Sequence, residues 1–353
     1  MNAVPPGGTI GILGGGQLGR MLALAAARLG LKTHIYSPET DAPAFQVSTA
    51  LTCAAFDDKA ALENFAAACD VVTFEFENVP ARTVDIIAAS RPMFPSAATL
   101  AVTQDRFEEK SFVASLGLKT APFRKVDGGK DVDVPAPSIL KTRRFGYDGK
   151  GQAKVANATD LARAFESFRR APCILEGFVD FEFEASMIAA RGRDGAIAAY
   201  DPPENIHQDH ILRRSIVPSR LTEAQSGEAK AIAKKIADAL DYVGVLAVEL
   251  FVTKDALLVN EIAPRVHNSG HWTIEACLTS QFEQHIRAVA GWPLGDPARH
   301  SDAVMDNLIG AETDDWRALA AGGGALHLYG KSESRPGRKM GHVTYLKAMT
   351  AAR

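Results

Sequence analysis

Residues Ile139 to Gln152 read ILKTRRFGYDGKGQ, and this stretch decides the fold. An apolar strand end delivers Lys141, a short basic segment follows, and Gly146, Gly149 and Gly151 then break up a loop that carries Tyr147, Asp148, Lys150 and Gln152. A strand lysine followed by a glycine loop is a means of holding a triphosphate. Glycine lets backbone N–H groups approach phosphate oxygens with no Cβ in the way, and the lysines supply positive charge. The spacing is not GxxxxGK[ST], because Lys150 is followed by Gly151. A basic, glycine-containing surface hairpin is the alternative reading of the segment on its own.

Working outward, 353 residues imply two or three packed units. A net charge of -3, from 39 basic and 42 acidic residues, argues against a polyanion groove and against disorder. No nucleic-acid partner is expected. Cys53, Cys69, Cys173 and Cys277 form no CxxC pair and read as reduced core residues of a cytoplasmic protein. The N-terminal segment lacks a basic region before a long apolar core, and no apolar run reaches membrane-spanning length, so no membrane association is expected.

Thr9 to Leu13 reads as a buried strand, Gly14 to Gly19 as a glycine turn, Gln17 to Leu29 as a helix and Lys32 to Tyr36 as a second strand. Helices within Asp58 to Ala68 and over Val84 to Ser90, with strand Val71 to Phe76 between them, continue a parallel α/β pattern. The pattern breaks around Pro92 to Thr103. Beyond it we expect helices over Asp105 to Leu116, Leu161 to Phe168 and Glu223 to Leu240. Strands are expected at Ser138 to Thr142, Ala153 to Val155, Cys173 to Phe178, Phe183 to Ala190, Gly244 to Val252 and Ala256 to Ile262. After Trp292 and Pro293 a short tail unit is expected, with strands Ala325 to Tyr329 and His342 to Leu346.

Gly14, Gly16 and Gly19 satisfy GxGxxG between a strand and a helix, the dinucleotide-binding context. That reading requires an acid at the end of the second strand, about 20 residues on. Here the strand runs out at Tyr36, Ser37 and Pro38. A phosphate site of another kind and a structural tight turn are the other two readings. Either way the turn aims N–H groups of a helix N-terminus at an anion.

Two apolar strands, LAVELFV and LLVNEI, each carry one carboxylate, Glu249 and Glu261. A carboxylate in such a strand is costly unless paired, hydrogen-bonded or metal-bound. A three-residue turn at Thr253 to Asp255 sets Val252 against Ala256 and Glu249 against Val259, leaving Glu249 and Glu261 diagonal on one face. With Asn260 beside them they suit Mg²⁺, which takes few protein oxygens; pairing with Lys or Arg is the alternative. In Phe178 to Glu184, FVDFEFE, alternation sets Asp180, Glu182 and Glu184 on one face, of which one is expected to act. The loop APRVHNSGHWT offers Arg265, His267 and Asn268 next to Glu261 as an oxyanion site.

Taken together, GILGGGQLGRML, FEFENVP, QDRFEEKSF, KTRRFGYDGKGQ, EGFVDFEFE, PPENIHQDHIL, VELF, LVNEIAPRVHNSGHWT, DNLIG, HLYGK and RPGRKMGHVT resemble the ATP-grasp ligases. Within them the resemblance is to the 5-(carboxyamino)imidazole ribonucleotide synthase family of purine biosynthesis, in order over nearly the whole chain. It implies an α/β ATP-grasp fold with a Rossmann-like pre-ATP-grasp domain (1–97), a two-lobed ATP-grasp domain with a glycine-loop lid (98–293) and a small substrate-binding C-terminal domain (294–353). It implies a homodimer that uses ATP, bicarbonate, 5-aminoimidazole ribonucleotide and Mg²⁺, and needs no biotin and no NAD.

Site residues are implied one by one. Arg106 and Lys141 resemble phosphate contacts, with Gly146, Tyr147, Asp148, Gly149, Lys150, Gly151 and Gln152 closing over the nucleotide. Glu176, Gly177, Phe178 and Val179 resemble the adenine hinge, Glu184 the ribose contact and His207 a further nucleotide residue. Glu249 and Glu261 match metal positions, with Asn260 and Glu261 at the nucleotide. Arg265, His267 and Asn268 resemble the bicarbonate and carboxyphosphate site, with Asp148 and Tyr147 as further catalytic candidates. Gln17, Glu77, Tyr147, Asp148, Lys331 and Arg338 are the expected ribonucleotide contacts. His210 departs from the family pattern, where glycine is common.

The alternatives are another ATP-grasp ligase, such as a formate-dependent glycinamide ribonucleotide transformylase or a biotin carboxylase, a nicotinamide oxidoreductase, and a non-catalytic nucleotide-binding regulator. The GRKMGH tail and the short length argue against the first, Ser37 against the second, and the joint presence of Lys141, Glu249, Glu261 and Arg265 against the third.

Overall fold

A computed structural model describes residues 2–128, 136–146 and 149–350. Tyr147 and Asp148, expected at the substrate, lie outside the described residues. Thr9–Leu13 (β1), Lys32–Ser37 (β2), Ala50–Cys53 (β3) and Val71–Phe74 (β4) form a parallel sheet in the order β3-β2-β1-β4. The helix Gln17–Arg28 starts directly at the glycine turn and buries Leu18, Met21 and Leu22. β3 escapes sequence reading because it is a short edge strand with almost no buried residue. Its Cys53 is exposed, unlike Cys69, Cys173 and Cys277, which corrects the expectation of a core position.

Where the pattern was expected to break, Ser96 caps a helix, Ala97–Thr103, by accepting from the Thr99 N–H. Asp105 caps the next, Arg106–Ser115, accepting from Phe107 N at 2.9 Å and Glu108 N at 3.4 Å. Such a cap contributes about 1 kcal/mol and fixes where the helix begins. It therefore fixes the direction in which Arg106 and Lys110 leave the helix.

Phe123–Val126 (β5), Ser138–Thr142 (β6), Gln152–Val155 (β7) and Cys173–Gly177 (β8) make a small antiparallel sheet, β5-β8-β6-β7. The chain then crosses to a second sheet. Residues 178–182 lie between β8 and the next strand, bonding to the backbone of that second sheet only where Glu182 N donates to Val252 O at 2.8 Å, which corrects the expected face of Asp180, Glu182 and Glu184. Phe181 instead stacks on Phe251, ring centroids 4.7 Å apart, and of the three acids only Glu184 lies on a strand.

The large sheet contains Phe183–Arg191 (β9), Ile197–Ala199 (β10), Glu204–Gln208 (β11), Ile211–Val217 (β12), Gly244–Val252 (β13), Leu257–Ala263 (β14), Asp302–Ile309 (β15), Ala325–Leu328 (β16) and Lys339–Lys347 (β17). Its order is β14-β13-β9-β11-β12-β15-β17-β16, with β10 beside β9. The tail strands β15 to β17 thus extend this sheet through the β12–β15 pairing.

Strand alternation assigns the two faces. Ala185, Met187, Ala189, Leu246, Val248 and Leu250 pack under the helix Glu223–Ala239. On the opposite face Ile188, Ala190, Val245, Ala247, Val217 and Met305 pack under the helix Gln281–Ala290. Along that second face the apolar run ends at Ser186 and Glu249, which stand opposite each other. The site lies where the oil stops.

The hairpin register differs from expectation. Val252 pairs with Leu257, a bulge follows between Glu249 and Leu250, and Glu249 stands directly opposite Glu261. The turn has four residues because Thr253 Oγ1 accepts from Ala256 N at 3.1 Å and Thr253 N donates to Ala256 O at 3.0 Å. The extra residue taken up at Asn260 restores both carboxylates to one face.

Candidate active site

The residues expected at the phosphates, Lys141 and Arg106, meet the buried Glu176 and Lys110 from three elements. Lys141 on β6 donates to Glu176 Oε2 on β8 at 2.8 Å, and Lys110, one turn along the helix from Arg106, has its Nζ 3.7 Å from the same oxygen. Lys110 is 1 % exposed. Burial pushes the Glu176 carboxyl up, but the two ammonium groups outweigh it and hold it at about 2. Its other oxygen, Oε1, is buried with no hydrogen-bond partner, an acceptor open to a ligand N–H.

Arg106 Nη1 pairs with Glu261 Oε2 at 2.8 Å, and Nη2 donates to the carbonyl of Gly146 at 3.2 Å, tying the start of the glycine loop to the acidic hairpin. A small cavity of about 40 Å³ lies here, lined by Glu77, Arg106, Glu109, Gly146 and Glu261 among others. Glu109 accepts from the Ile262 N–H at 2.5 Å, and burial together with neighbouring Glu261 pushes it up to about 8.

Glu249 accepts from His267 Nε2 at 3.0 Å. Burial raises this carboxyl, but the His267 hydrogen bond and the positive charges around it bring it down to about 2. Asn260 Oδ1 and both polar atoms of the Asn268 amide are buried without partners. Glu249 and Glu261 thus stand opposite each other, paired with His267 and Arg106, beside an unpartnered amide oxygen; all three are oxygen donors of the hard type that Mg²⁺ takes. Glu184, on β9 next to the β13 strand that carries Glu249, accepts from His207 Nδ1 at 2.6 Å.

Arg265 is held by Glu77 through two hydrogen bonds, Nε to Oε2 at 2.5 Å and Nη2 to Oε1 at 3.1 Å. Glu77 is in turn fixed by Gln104, whose Nε2 donates to the carbonyls of Glu77 and Val79, each at 2.8 Å. Gly149 and Gln152 border the turn between β11 and β12, and Gly151 packs against Thr142 of β6. Gln152 Nε2 lies 3.2 Å from His210 Nδ1, and a Cβ on Gly149 would come within 2.7 Å of the His210 ring. His210 and Asp209 have φ of 63° and 51° in a two-residue hairpin turn. That conformation favours glycine, so His210 holds a backbone geometry that glycine would adopt more readily.

The glycine turn holds an anion belonging to the chain itself. Gly16 N and Gly19 N both donate to the Glu75 carboxylate, the latter at 2.7 Å. Burial pushes Glu75 above the usual carboxylate range. Gln17 begins the helix at this turn. Lys331 reaches the same region: its Nζ donates to Lys339 O at 2.6 Å, and burial, then Arg338, bring it down to about 8. Arg338 Nη1 donates to Glu333 O at 2.7 Å. The tail loop is pinned to the N-terminal unit by Gln46 Nε2 to Gly330 O at 2.8 Å and Ser332 Oγ to Asp41 at 2.5 Å.

The structure therefore brings Arg106, Lys141, Glu176, Glu249, Asn260, Glu261, Arg265, His267 and Asn268 around one cleft. Lys331 and Arg338 belong to a separate cluster over the glycine turn. Phe178 is half-exposed, and Val179 follows it on the crossing segment. Glu75, Glu109, Lys110 and Gln104 were missed. The signal for Glu109 and Lys110 was present: with Arg106 they fall at i, i+3 and i+4 of one helix and share its inward face.

A β9–β13–β14 hairpin sheet facing a small antiparallel sheet across a glycine loop, with lysines on one side and paired carboxylates on the other, defines an ATP-grasp ligase. An ATP-grasp domain model matches residues 111–282, a ribonucleotide synthetase preATP-grasp domain model residues 8–104, and a phosphoribosylaminoimidazole carboxylase C-terminal domain model residues 303–352. The chain belongs to the N5-carboxyaminoimidazole ribonucleotide synthase family. It is 52% identical to the Brucella melitensis member over 99% of both chains. It superposes on a solved ADP complex of a synthetase of this name with a TM-score of 0.94 at 43% identity, covering 98% of this chain and 94% of that one. A second solved structure, the Aspergillus clavatus synthase with ADP and 5-aminoimidazole ribonucleotide, gives 0.88 at 30% identity, covering 97% and 94%.

Proposed function

We infer that the chain catalyses ATP-dependent carboxylation of 5-aminoimidazole ribonucleotide with bicarbonate, giving 5-(carboxyamino)imidazole ribonucleotide, ADP and phosphate. The observation that carries the reading is the cleft itself, with Lys141, Arg106 and the paired carboxylates at one end and the unpartnered Asn268 beside Arg265 at the other. Bicarbonate oxygen attacks the γ-phosphorus, the bond to the bridging oxygen of ADP breaks, and carboxyphosphate forms. The ribonucleotide amine then attacks the carboxyl carbon, phosphate leaves and the nitrogen loses a proton.

Bicarbonate is a weak nucleophile, so orientation dominates the first step. Arg265, fixed in direction by its two bonds to Glu77, supplies the charge, and the Asn268 amide supplies a donor and an acceptor. Lys141 and Arg106 balance charge on the transferring phosphoryl group. Glu249 and Glu261, with Asn260, would hold Mg²⁺, which when bound neutralises phosphate charge. Glu176 Oε1, ionised and unpaired, suits the exocyclic amine of adenine; Gly177, Phe178 and Val179 continue that hinge, and Glu184 with His207 serves the ribose. Gly146 to Gln152 shield carboxyphosphate from water, with Tyr147 and Asp148 at the amine. Gln17, Glu77, Lys331 and Arg338 bind the ribonucleotide, the last two at its phosphate.

The nicotinamide alternative has less support, because the Gly16 and Gly19 N–H groups that would take a pyrophosphate are engaged by Glu75. Among the described residues no helix is long and apolar enough to cross a membrane. We read the assembly as a homodimer, and light scattering at micromolar concentration tests that: a monomeric mass contradicts it. The activity is tested by ADP release with bicarbonate, with and without aminoimidazole ribonucleotide, using NADH oxidation as a control. Release that depends on the ribonucleotide supports the reading; release indifferent to it removes the substrate assignment.

A further inference from the structure

Beneath the cleft the face of the large sheet carries an unbroken polar row that the reaction as described does not use. Ser215 Oγ on β12 donates to Asn205 Oδ1 on β11 at 2.8 Å, and Asn205 Nδ2 donates to Ser186 Oγ on β9 at 3.0 Å. Ser186 Oγ lies 2.7 Å from Ser269 Oγ, and Ser269 Oγ lies 2.8 Å from His267 Nδ1. His267 Nε2 ends the row at Glu249. Ser186, Ser215 and Ser269 have no exposed surface and Asn205 is 6 % exposed. Four buried polar side chains in a row this tight are costly unless each bond is made.

The direction of the row is determined. The main-chain N–H of Ser269 points at His267 Nδ1 at 3.3 Å, so Nδ1 is an acceptor and the ring proton resides on Nε2. Ser269 Oγ–H must then donate to Nδ1, Ser186 Oγ–H to Ser269, and the Asn205 amide to Ser186. Reversing the Asn205 amide would push two protons together at His267. Ser186 and Ser269 each donate once and accept once along the row, and Ser215 donates into it, so the bonds are satisfied in one direction only.

We propose that Ser215, Asn205, Ser186 and Ser269 form a one-way hydrogen-bond relay that fixes His267 as its Nε2–H tautomer and locks the ring against Glu249. They are positioning residues, acting through His267 on a carboxylate of the phosphoryl-transfer site. Its effect on turnover rests on the role proposed above for Glu249. The tautomer itself does not.

The test uses full-length protein with ¹⁵N-labelled histidine, the His267 ring signals being identified by their loss in His267→Gln. Wild type is expected to show an unprotonated Nδ1 and a protonated Nε2. Asn205→Asp keeps the shape but has no N–H to give: Ser186 must turn its proton toward it, Ser269 follows, and Nδ1 loses its hydroxyl donor. The ring signals should shift toward a mixture of tautomers, and kcat should fall about tenfold, the lower end for residues that orient a metal-site ligand, with the KM for aminoimidazole ribonucleotide unchanged. If that variant does not fold, Ser269→Ala, which deletes the hydroxyl alone, is expected to do the same. A wild-type ring protonated on Nδ1 overturns the relay. Shifted ring signals with unchanged kcat overturn its positioning role, and a fall in kcat with unshifted signals does so too.

Discussion

Replacing Glu176 by Gln keeps the shape of the side chain and removes its charge from beneath two lysines. Its carboxylate is 3 % exposed and a single oxygen faces Lys141 Nζ at 2.8 Å and Lys110 Nζ at 3.7 Å. A carboxyl titrating at about 2 in place of its ordinary 4.5 is held ionised by about 3 kcal/mol. Breaking a buried pair costs a similar amount, about 3 to 5 kcal/mol. Because the folded value is depressed, this stability is present in full above the unfolded carboxyl's range and disappears as pH falls through about 2. Near pH 7 Glu176→Gln should therefore lower the melting temperature by roughly 4 to 7 °C. The informative comparison is the double variant with Lys110→Met. Lys110 is the more buried cation, and without it the glutamine still accepts from Lys141, so the double variant should be more stable than the two separate losses predict by at least about 1 kcal/mol. Additive losses, or a single variant melting with wild type, would refute the buried triad as a charge-balanced unit.

Glu261→Gln should leave a folded protein with almost no ATP turnover, because an amide cannot replace an anionic metal ligand; near-normal turnover at ordinary Mg²⁺ would contradict the assignment. Arg338→Ala should raise the apparent KM for aminoimidazole ribonucleotide by roughly one to two decades, the loss of one charged hydrogen bond, while that for ATP changes little; the reverse pattern would move the tail to the nucleotide site. Lys331, brought down to about 8 by burial, is a cation below that pH and neutral above it. The KM for the ribonucleotide should thus climb as pH passes about 8, and Lys331→Gln should start high and lose that climb.

Much of this was legible because it was local. Strand Ser138 to Thr142 was read to the residue, and the Glu249 and Glu261 strands announced themselves as carboxylates in apolar runs. What sequence could not carry was whatever a distant segment decides. The hairpin register turned on Thr253 bonding Ala256 and on a bulge at Asn260, neither visible in an alternating pattern. FVDFEFE alternates like a strand yet joins the sheet ladder only at its end, from Glu182 and Phe183 onward. The anion for the glycine turn was Glu75, from the end of β4, a strand adjacent to β1 in the sheet but far from it in sequence. Lys110 looked like an ordinary helix lysine, and only distant partners, Glu176 and the carbonyl of Val259, give it a reason to be buried.

The central claim is that bicarbonate is activated by phosphorylation in this cleft, and oxygen tracing tests it most directly. With ¹⁸O-labelled bicarbonate, ATP and aminoimidazole ribonucleotide, attack on the γ-phosphorus must carry one bicarbonate oxygen into the phosphate released when the amine captures the carboxyl group. Mass spectrometry of that phosphate should find one ¹⁸O per turnover, lost together with activity in Glu261→Gln. Phosphate whose fourth oxygen comes from water, formed alongside carboxylated product, would contradict the account.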